Sequence, residues 1–162
     1  MERIAHGFPP VANEDSVVLV LGSFPSVSSR AEGFFYMHPR NRFWRILSDV
    51  YGDDFVNADN EGKRRLLAVH GIALYDVVEE CVVEGSADAS IKDVVYADLD
   101  AILAGTGIGR ILLNGGTAAK WFRRGHPERT TMSVALPSTS PANAGTSYEK
   151  LLSIWRKALL DE

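Results

Sequence analysis

The stretch VVLVLG, residues 17–22, decides the fold class of this chain. Its aliphatic residues do not alternate with polar ones, which is typical of a strand that is buried on both faces. Further apolar runs follow at Ile72–Val78, Arg110–Leu113 and Met132–Leu136. Because helical patterns lie between these strands, the sequence predicts an α/β fold in which helices cover both faces of a mainly parallel four-stranded sheet.

Several segments carry the signals that begin helices. Proline suits a first helical turn, small polar residues cap the free N–H groups there, and TSYE at 146–149 has the spacing of a capping box. The predicted helices begin near Pro39, Asn60, Asp98, Thr117 and Thr146. Ser23–Met37 and Glu79–Asp93 show no periodic pattern, and we predict irregular loops there.

Composition and charge indicate an ordinary soluble protein of one domain, residues 1–162. Hydrophobic residues make up 46% of the chain and charged residues 23%, with a formal net charge of −4. The longest apolar run is far too short to cross a membrane, and no signal peptide is expected. The single cysteine, Cys81, excludes an intramolecular disulfide and fits a cytoplasmic location. The spacing of Cys and His residues indicates no zinc site, so no metal is expected.

The ends of the predicted strands carry the residues best suited to bind a ligand. In open α/β sheets, ligands bind beyond the carboxyl ends of the strands. We therefore expect Gly22–Ser26, Asn114–Gly116 and Pro137–Asn143 to surround one cleft, which Asp76 also faces. An amide can read a base edge, and hydroxyl groups can hold a phosphodiester. The structural alternatives are an Asx turn at Asn114 and a rigid connector at 137–143.

The segment GFFYMHPRNRFWRIL, residues 33–47, combines aromatic, amide and basic side chains at the entrance to one helix. Its three consecutive rings at 34–36 cannot all point inward, so at least one of them should face the cleft. Phe43 and Trp44 lie on the apolar face of the helix, and we expect both in the core. The basic residues around Asn41 can contact phosphate, or they can simply form the solvated side of the helix.

Four segments taken together resemble the uracil-DNA glycosylase superfamily, and most closely its hypoxanthine-DNA (deoxyinosine) glycosylase family. They are GSFPSVSS at 22–29, GFFYMHPRNRFW at 33–44, ILLNGG at 111–116 and LPSTSPAN at 136–143. The resemblance implies a three-layer αβα sandwich and a monofunctional DNA glycosylase of base excision repair. Such an enzyme flips a deaminated base, here hypoxanthine from deoxyinosine, and hydrolyses its N-glycosidic bond. The resemblance further implies a monomer that needs no cofactor and has DNA as its partner.

The resemblance also assigns roles within the cleft. Mismatch-specific relatives hold the attacking water with an asparagine where this chain has Phe24, and a phenylalanine cannot orient water. The hypoxanthine family shares this feature, and the likeness gives the role to the asparagine of HPxN. Asn41 is therefore the expected catalytic residue, with its carbonyl group holding the water. The expected substrate-binding residues are Ser23 and Phe24 through backbone N–H groups, Tyr36 through stacking, and Asn114 through the base edge.

The expected DNA contacts lie around the mouth of the cleft. The loop Pro137–Asn143 resembles the family segment that grips the DNA backbone and fills the gap left by the flipped base. Gly85–Ser90 also resembles a loop of the family. The expected DNA-binding residues are Ser26, His38, Arg40, Ser138, Thr139, Ser140 and Asn143.

Other functions remain open at the level of sequence. One is a uracil or mismatch-specific glycosylase of the same fold. Another is a non-catalytic module that binds damaged DNA, because the first motif lacks the asparagine that holds water. A small-molecule hydrolase or a nucleotide-binding protein is disfavoured, since the sequence shows neither a catalytic triad pattern nor a phosphate-binding loop.

Overall fold

The computed structural model describes residues 2–162, which form seven strands and six α-helices. Short 3-10 helices at Asp88–Ser90, Pro127–Met132 and Pro141–Asn143 lie in the connections. The strands are β1 (Ile4–Ala5), β2 (Val18–Gly22), β3 (Ile72–Asp76), β4 (Val78–Val82), β5 (Lys92–Tyr96), β6 (Arg110–Asn114) and β7 (Ser133–Leu136). The helices are α1 (Val27–Glu32), α2 (Phe43–Tyr51), α3 (Asn60–Val69), α4 (Leu99–Leu103), α5 (Gly116–Gly125) and α6 (Tyr148–Leu160).

The centre of the molecule is a four-stranded sheet in the order β3-β2-β6-β7, and all of its strand pairs are parallel. Every residue of β2 is buried, as the apolar run predicts, but Val17 at the start of that run lies before the strand and is 51% exposed. Every residue of β3 is buried as well. Register pairs Val18 with Ile72 on one side and with Arg110 on the other. The predicted four-stranded, mainly parallel sheet is therefore confirmed.

Helices cover both faces of this sheet. Parallel connections are right-handed, so the helices between β2 and β3 lie on one face and those between β3, β6 and β7 lie on the other. Helix α6 packs against α2, where the rings of Phe43 and Trp155 meet edge to face at 5.9 Å. This arrangement is the predicted three-layer αβα sandwich. Among residues 2–162, none of the helices is both long and apolar enough to span a bilayer.

A second, antiparallel sheet is the main difference from the prediction. The run Ile72–Val78 is not one strand, because β3 ends at Asp76 and β4 begins at Val78 in a sheet of order β1-β4-β5. Part of the predicted loop Glu79–Asp93 therefore belongs to strands. The sequence VEECV of β4 buries only its apolar and cysteine positions, a pattern too short and too polar to stand out.

Helix starts also differ by a few residues from those predicted. The long loop expected at 23–37 contains α1, whose N-terminus is capped by the Ser26 hydroxyl. Helix α2 begins at Phe43 rather than near Pro39, since residues 39–40 form a turn and residues 41–42 are irregular. Asp59 caps α3, one residue before the predicted start at Asn60. Ser147, the second residue of TSYE, caps α6.

Candidate active site

A cavity of about 340 Å³ opens at the carboxyl ends of the parallel strands. Gly22–Ser26 follows β2, Asp76 ends β3, Asn114 ends β6, and Ser138–Ala142 follows β7. These are the segments that the strand-end rule places around one cleft. The cavity therefore forms where the sequence predicts it, and residues from the 33–47 segment close one side.

The three consecutive rings of that segment have different surroundings. Phe34 is fully buried and stacks on Trp44 in the core, with 5.8 Å between ring centroids. Phe35 and Tyr36 line the cavity, so the expectation that at least one ring faces it is confirmed. Phe43 and Trp44 are buried in the core, as expected.

Tyr36 is held in an unusual backbone conformation. Its φ angle of 55° lies in the left-handed region, which is uncommon for a residue with a bulky side chain. Such strain persists only where the surrounding structure enforces it, and it is concentrated at functional sites. The ring packs 4.3 Å from that of Phe43. The conformation turns Tyr36 into the cavity at the point where the chain enters α2.

The hydroxyl of Tyr36 is buried and makes no hydrogen bond within residues 2–162. Burial raises the pKa of Tyr36 well above its usual range, the negative charge of Asp76 raises it further, and the Asn114 side chain opposes the shift. The hydroxyl therefore keeps its proton at physiological pH. It is a hydrogen-bond donor that can pair with an acceptor bound in the cavity.

Asp76 lies beside this hydroxyl, with 4% of its surface exposed. Its Oδ2 lies 2.7 Å from Nε2 of His6, which is also buried. Gly22 makes room for both groups, since a Cβ there would overlap Asp76 Oδ1 and come within 3.2 Å of the Tyr36 hydroxyl. The sequence predicts that Asp76 faces the cleft, and Asp76 does line the cavity.

A chain of hydrogen bonds connects the two candidate amides. Asn114 Nδ2 donates to Thr139 Oγ1 at 3.0 Å, and the Thr139 N–H donates to Asn114 Oδ1 at 3.0 Å. Thr139 Oγ1 in turn donates to Asn41 Oδ1 at 2.8 Å. Asn41 Oδ1 also accepts the backbone N–H of Phe43 at 2.9 Å. The network fixes the orientation of Asn41 at the wall of the cavity.

This network changes the expected roles of three residues. Asn41 Oδ1 already accepts two hydrogen bonds, so it can hold a water only by sharing or giving up one of them. Asn114 contacts Thr139 through both of its polar atoms, and the second N–H of its Nδ2 is left for another partner. Thr139 has no exposed surface, so it cannot contact DNA in this conformation. Its observed role is to connect Asn114 with Asn41.

The loop after β7 is braced by its own side chains. Ser138 Oγ accepts the N–H of Ser140, and Ser140 Oγ accepts the N–H of Ala142. Asn143 Nδ2 donates to the Ser138 carbonyl at 3.0 Å. Ser138 and Ser140 also line the cavity. The two prolines and these bonds make the loop a rigid wall.

Arg42 holds this loop from the other side. Its guanidinium donates to the carbonyls of Thr146 at 2.7 Å and Asn143 at 2.9 Å, while its backbone N–H donates to the Thr139 carbonyl. Arg42 therefore connects the start of α2 to the loop through hydrogen bonds. Arg40 is exposed and lies outside the cavity lining, where it is free to meet phosphate.

The remaining expected residues take up structural positions near the opening. Ser26 caps α1 through the N–H of Ser29, and His38 Nδ1 accepts the N–H of Arg40. Of the expected residues, Arg40 and Asn143 lie outside the cavity lining. The others line it: Ser23, Phe24, Ser26, Tyr36, His38, Asn41, Asn114, Ser138, Thr139 and Ser140.

One acidic and one basic residue of this region, Asp88 and His6, were not predicted as part of the site. Asp88, in the loop 85–90, lines the cavity and accepts a hydrogen bond from Ser23 Oγ at 2.9 Å. Burial raises the pKa of the Asp88 carboxyl, the hydrogen bond from Ser23 opposes this shift, and the charge of Asp76 adds to it. His6 reaches Asp76 from the segment after β1. Asp88 lies in the segment Gly85–Ser90, whose resemblance to a loop of the family is the one sequence signal that points to it, whereas His6 stands in no recognisable motif.

Groups of three or more potential metal ligands are absent from residues 2–162. The chemistry of the cavity is instead that of carboxylates, amides, hydroxyls and aromatic rings. This set suits a planar heterocycle, which aromatic rings can contact by stacking while the polar groups bind its edge.

The comparisons with known proteins agree with this geometry. Residues 9–159 match the family model of the Uracil DNA glycosylase superfamily. A curated Methanosarcina acetivorans protein named Hypoxanthine DNA glycosylase is 33% identical over 143 residues, which cover 86% of this chain and 89% of that protein. A Methanosarcina barkeri protein of the same name is 38% identical over 87 residues. That match covers 54% of this chain and 55% of the relative, so it spans about half of each.

A solved structure is also similar over nearly the whole chain. It is the solution NMR structure of a candidate uracil DNA glycosylase from Methanosarcina acetivorans. The two share a TM-score of 0.81 and 30% sequence identity, and the match covers 94% of each chain.

Proposed function

This chain belongs to the uracil DNA glycosylase superfamily, and on that premise we propose that it is a monofunctional DNA glycosylase that releases hypoxanthine from deoxyinosine. Two relatives carry the name Hypoxanthine DNA glycosylase. The observation that carries the proposal is the cavity at the strand ends, where Tyr36, Asp76 and Asn41 converge.

The cavity suits a base that has been flipped out of a duplex. Its volume of about 340 Å³ lies at the small end of the range for ligand pockets, as a single heterocycle requires. Phe24, Phe35 and Tyr36 provide aromatic surface on its walls. The glycosidic bond is inaccessible inside a stacked duplex, so the base must enter such a pocket before it can be released.

The reaction breaks the bond between C1′ of the sugar and N9 of hypoxanthine and adds water at C1′. Positive charge develops on the sugar and negative charge on the leaving purine, and both need preorganised partners. Asn41 is fixed at the cavity wall, where it can orient the water once it shares the oxygen that Thr139 now occupies. No lysine lines the cavity within residues 2–162, which supports a mechanism without a Schiff base.

A non-catalytic module that binds damaged DNA is the second candidate. One observation favours it, since both acceptor positions of Asn41 Oδ1 are already used. A protein that only binds would retain the pocket and never activate a water. The two functions differ in whether the base is released.

A base-release assay separates these functions. Labelled duplexes containing inosine, uracil, xanthine or a G·T mismatch are incubated with the protein and treated with alkali, which cleaves the strand at an abasic site. We expect more cleavage of the inosine duplex than of the other duplexes, and no cleavage of any duplex without alkali. Equal or greater release of uracil would favour the uracil or mismatch glycosylase. Tight binding of inosine DNA without any release would favour the binding module.

We also propose that the chain acts on DNA as a monomer. One chain supplies every lining residue of the cavity. The net charge of −4 is unfavourable for general DNA binding, so phosphate contacts must be local to the opening of the cavity. Light scattering during size-exclusion chromatography, with and without an inosine duplex, tests this proposal.

A further inference from the structure

We propose that Asp76 and the hydroxyl of Tyr36 together read the lactam edge that deamination creates on a base, and that His6 positions the Asp76 carboxylate for this task. The inference rests on the proposed function and adds to it the feature of the base that is recognised. It makes the pair a determinant of the preference for a deaminated base over its parent base.

Both groups have a free position at the floor of the cavity. The hydrogen bond that Asp76 makes within residues 2–162 uses Oδ2 and goes to His6. The Tyr36 hydroxyl is buried and has no partner within hydrogen-bond distance in the same part of the chain, although the Asn114 side chain lies close enough to lower its pKa. Asp76 Oδ1 and this hydroxyl both lie close to the position that a Cβ on Gly22 would occupy. The floor therefore presents one acceptor and one donor side by side.

This pattern complements a lactam. Hypoxanthine carries an N1–H donor next to the O6 acceptor, so its N1–H can donate to Asp76 Oδ1 while O6 accepts from the Tyr36 hydroxyl. Adenine carries a bare N1 acceptor next to an amino group, which reverses both positions. Uracil and cytosine differ in the same way at N3 and the adjacent C4 substituent. The pair thus recognises the chemical change that separates a deaminated base from its parent.

A mismatch at this site is costly because it leaves buried polar groups unpaired. Sites that hydrogen-bond a substrate discriminate strongly against analogues that lack the matching group. The donor at O6 also faces the atom on which negative charge collects as the purine leaves, which favours the transition state. In this arrangement Tyr36 meets the base through its hydroxyl at the edge rather than by the stacking expected from the sequence, and it contributes to recognition and to stabilisation of the leaving group.

His6 is placed to hold the carboxylate in this orientation. Its ring packs between those of Phe8 and Tyr75, each with its centroid 4.3 Å away. Its backbone N–H donates to the Glu79 carbonyl at 2.8 Å, which anchors the segment after β1 to the second sheet. With Nε2–H donating to Oδ2, rotation of the Asp76 carboxylate is restricted, and Oδ1 stays directed to the cavity floor.

The test compares inosine with 1-methylinosine, which keeps O6 but carries a methyl group in place of the N1–H. Binding of duplexes that carry either base is measured by fluorescence anisotropy, and base release is measured in parallel. We expect the wild-type protein to prefer inosine by about 10- to 100-fold, the range typical of one buried hydrogen bond to a charged group. In Asp76→Asn the preference should fall to within about threefold, since an amide can present either a donor or an acceptor.

Tyr36→Phe and substitutions of His6 test the same inference if Asp76→Asn does not fold. Tyr36→Phe keeps the ring and should slow inosine release by about tenfold or more, as expected for one lost buried donor. His6→Gln, which still offers an N–H to Asp76, should retain more of the preference than His6→Leu. The exposed Asp15→Asn is the matched control for the loss of one carboxylate and should behave as wild type.

The outcomes distinguish this inference from the proposed function. If the wild-type protein releases no base, the proposed function fails, yet the binding preference still tests the inference. If folded Asp76→Asn binds inosine DNA as tightly as the wild-type protein and keeps the full preference over 1-methylinosine, the inference is wrong whatever the catalytic activity. Equal effects of His6→Gln and His6→Leu would overturn the positioning role of His6.

Discussion

Thr139 Oγ1 donates a hydrogen bond of 2.8 Å to Asn41 Oδ1, although the two residues stand 98 positions apart in the chain. The same hydroxyl accepts a hydrogen bond from Asn114 Nδ2. One threonine thus couples the wall that carries the expected catalytic amide to the end of β6. The site is preorganised by a polar network rather than by isolated side chains.

Loss of the Thr139 hydroxyl should damage both stability and activity. Thr139→Val leaves Asn114 Nδ2 without this partner and frees Asn41 to rotate. We expect the free energy of unfolding to fall by about 1–3 kcal/mol, the cost of an unsatisfied buried group. Urea denaturation and single-turnover release of hypoxanthine measure the two effects. Thr139→Ser, which keeps the hydroxyl, is the control; an equal loss of activity in both variants would show that the network is not responsible.

Gly22 should not tolerate a side chain. The Cβ of Gly22→Ala would overlap Asp76 Oδ1 and crowd the Tyr36 hydroxyl, so either the carboxylate or β2 must shift. We expect release of hypoxanthine to fall at least about tenfold, because a misplaced polar group at the floor loses roughly one hydrogen bond to the base. Gly109→Ala is a suitable control, as its Cβ would meet no atom within 4 Å. Similar activity in both variants would contradict the close packing described here.

Arg40 and Arg42 should have separable effects. Arg42→Ala removes two hydrogen bonds to the carbonyls of Thr146 and Asn143, so hydrogen exchange in the loop after β7 should increase. Arg40→Ala should leave exchange unchanged and lower the slope of DNA affinity against salt concentration by about one unit, as expected for one phosphate contact. A salt slope altered only by Arg42→Ala would reverse these assignments.

Asp88 should make stability depend on pH in a defined direction. Although Asp88 as a whole residue is exposed, its carboxyl group is desolvated beside Ser23 and its pKa is raised, so the folded state holds the proton more tightly than the unfolded state and the ionised carboxylate destabilises the fold. Asp88→Asn should therefore raise the melting temperature at pH 7–8. The gain should shrink as the pH falls through the raised pKa and vanish below about pH 4, the unfolded pKa of aspartate.

Asp54 provides a control of opposite sign for this measurement. Its pKa is lowered, first by the backbone N–H of Asn57, so its ionised form stabilises the fold above the unfolded pKa. Asp54→Asn should lower the melting temperature at neutral pH, and the difference should disappear as the pH falls through the lowered pKa. Matching pH profiles for the two variants would refute the assigned surroundings of Asp88.

Sequence reasoning succeeded where local pattern and strand topology determine the structure. The aliphatic run at 17–22 predicts a strand buried on both faces, and the strand-end rule then brings Ser23, Asn114 and Ser138 to one cavity. It missed the second sheet, because β4 mixes apolar and acidic residues within five positions. Tertiary pairing with β1 and β5, rather than local propensity, makes that segment a strand.

The details of the site were less accessible to sequence reasoning. The expectation that Thr139 contacts DNA follows from its place in a hydroxyl-rich loop, whereas its burial depends on packing against Asn41 and Asn114. His6 comes from a segment with no periodicity and no motif, and only the fold brings it to Asp76. Asp88 lies in the loop 85–90, whose resemblance to a family loop does not indicate which of its residues enters the cavity. The catalytic role of Asn41 stays a prediction, since geometry shows its position and not its chemistry.

The most direct test of the account is single-turnover release of hypoxanthine from an inosine duplex by the wild-type protein and by Asn41→Ala. We predict release by the wild type and a loss of at least about 100-fold in the variant, within the range for removal of a group that positions a proton transfer. Binding of the inosine duplex should change by less than about threefold, because uniform binding does not depend on this group. A folded Asn41→Ala variant with wild-type release would contradict the account.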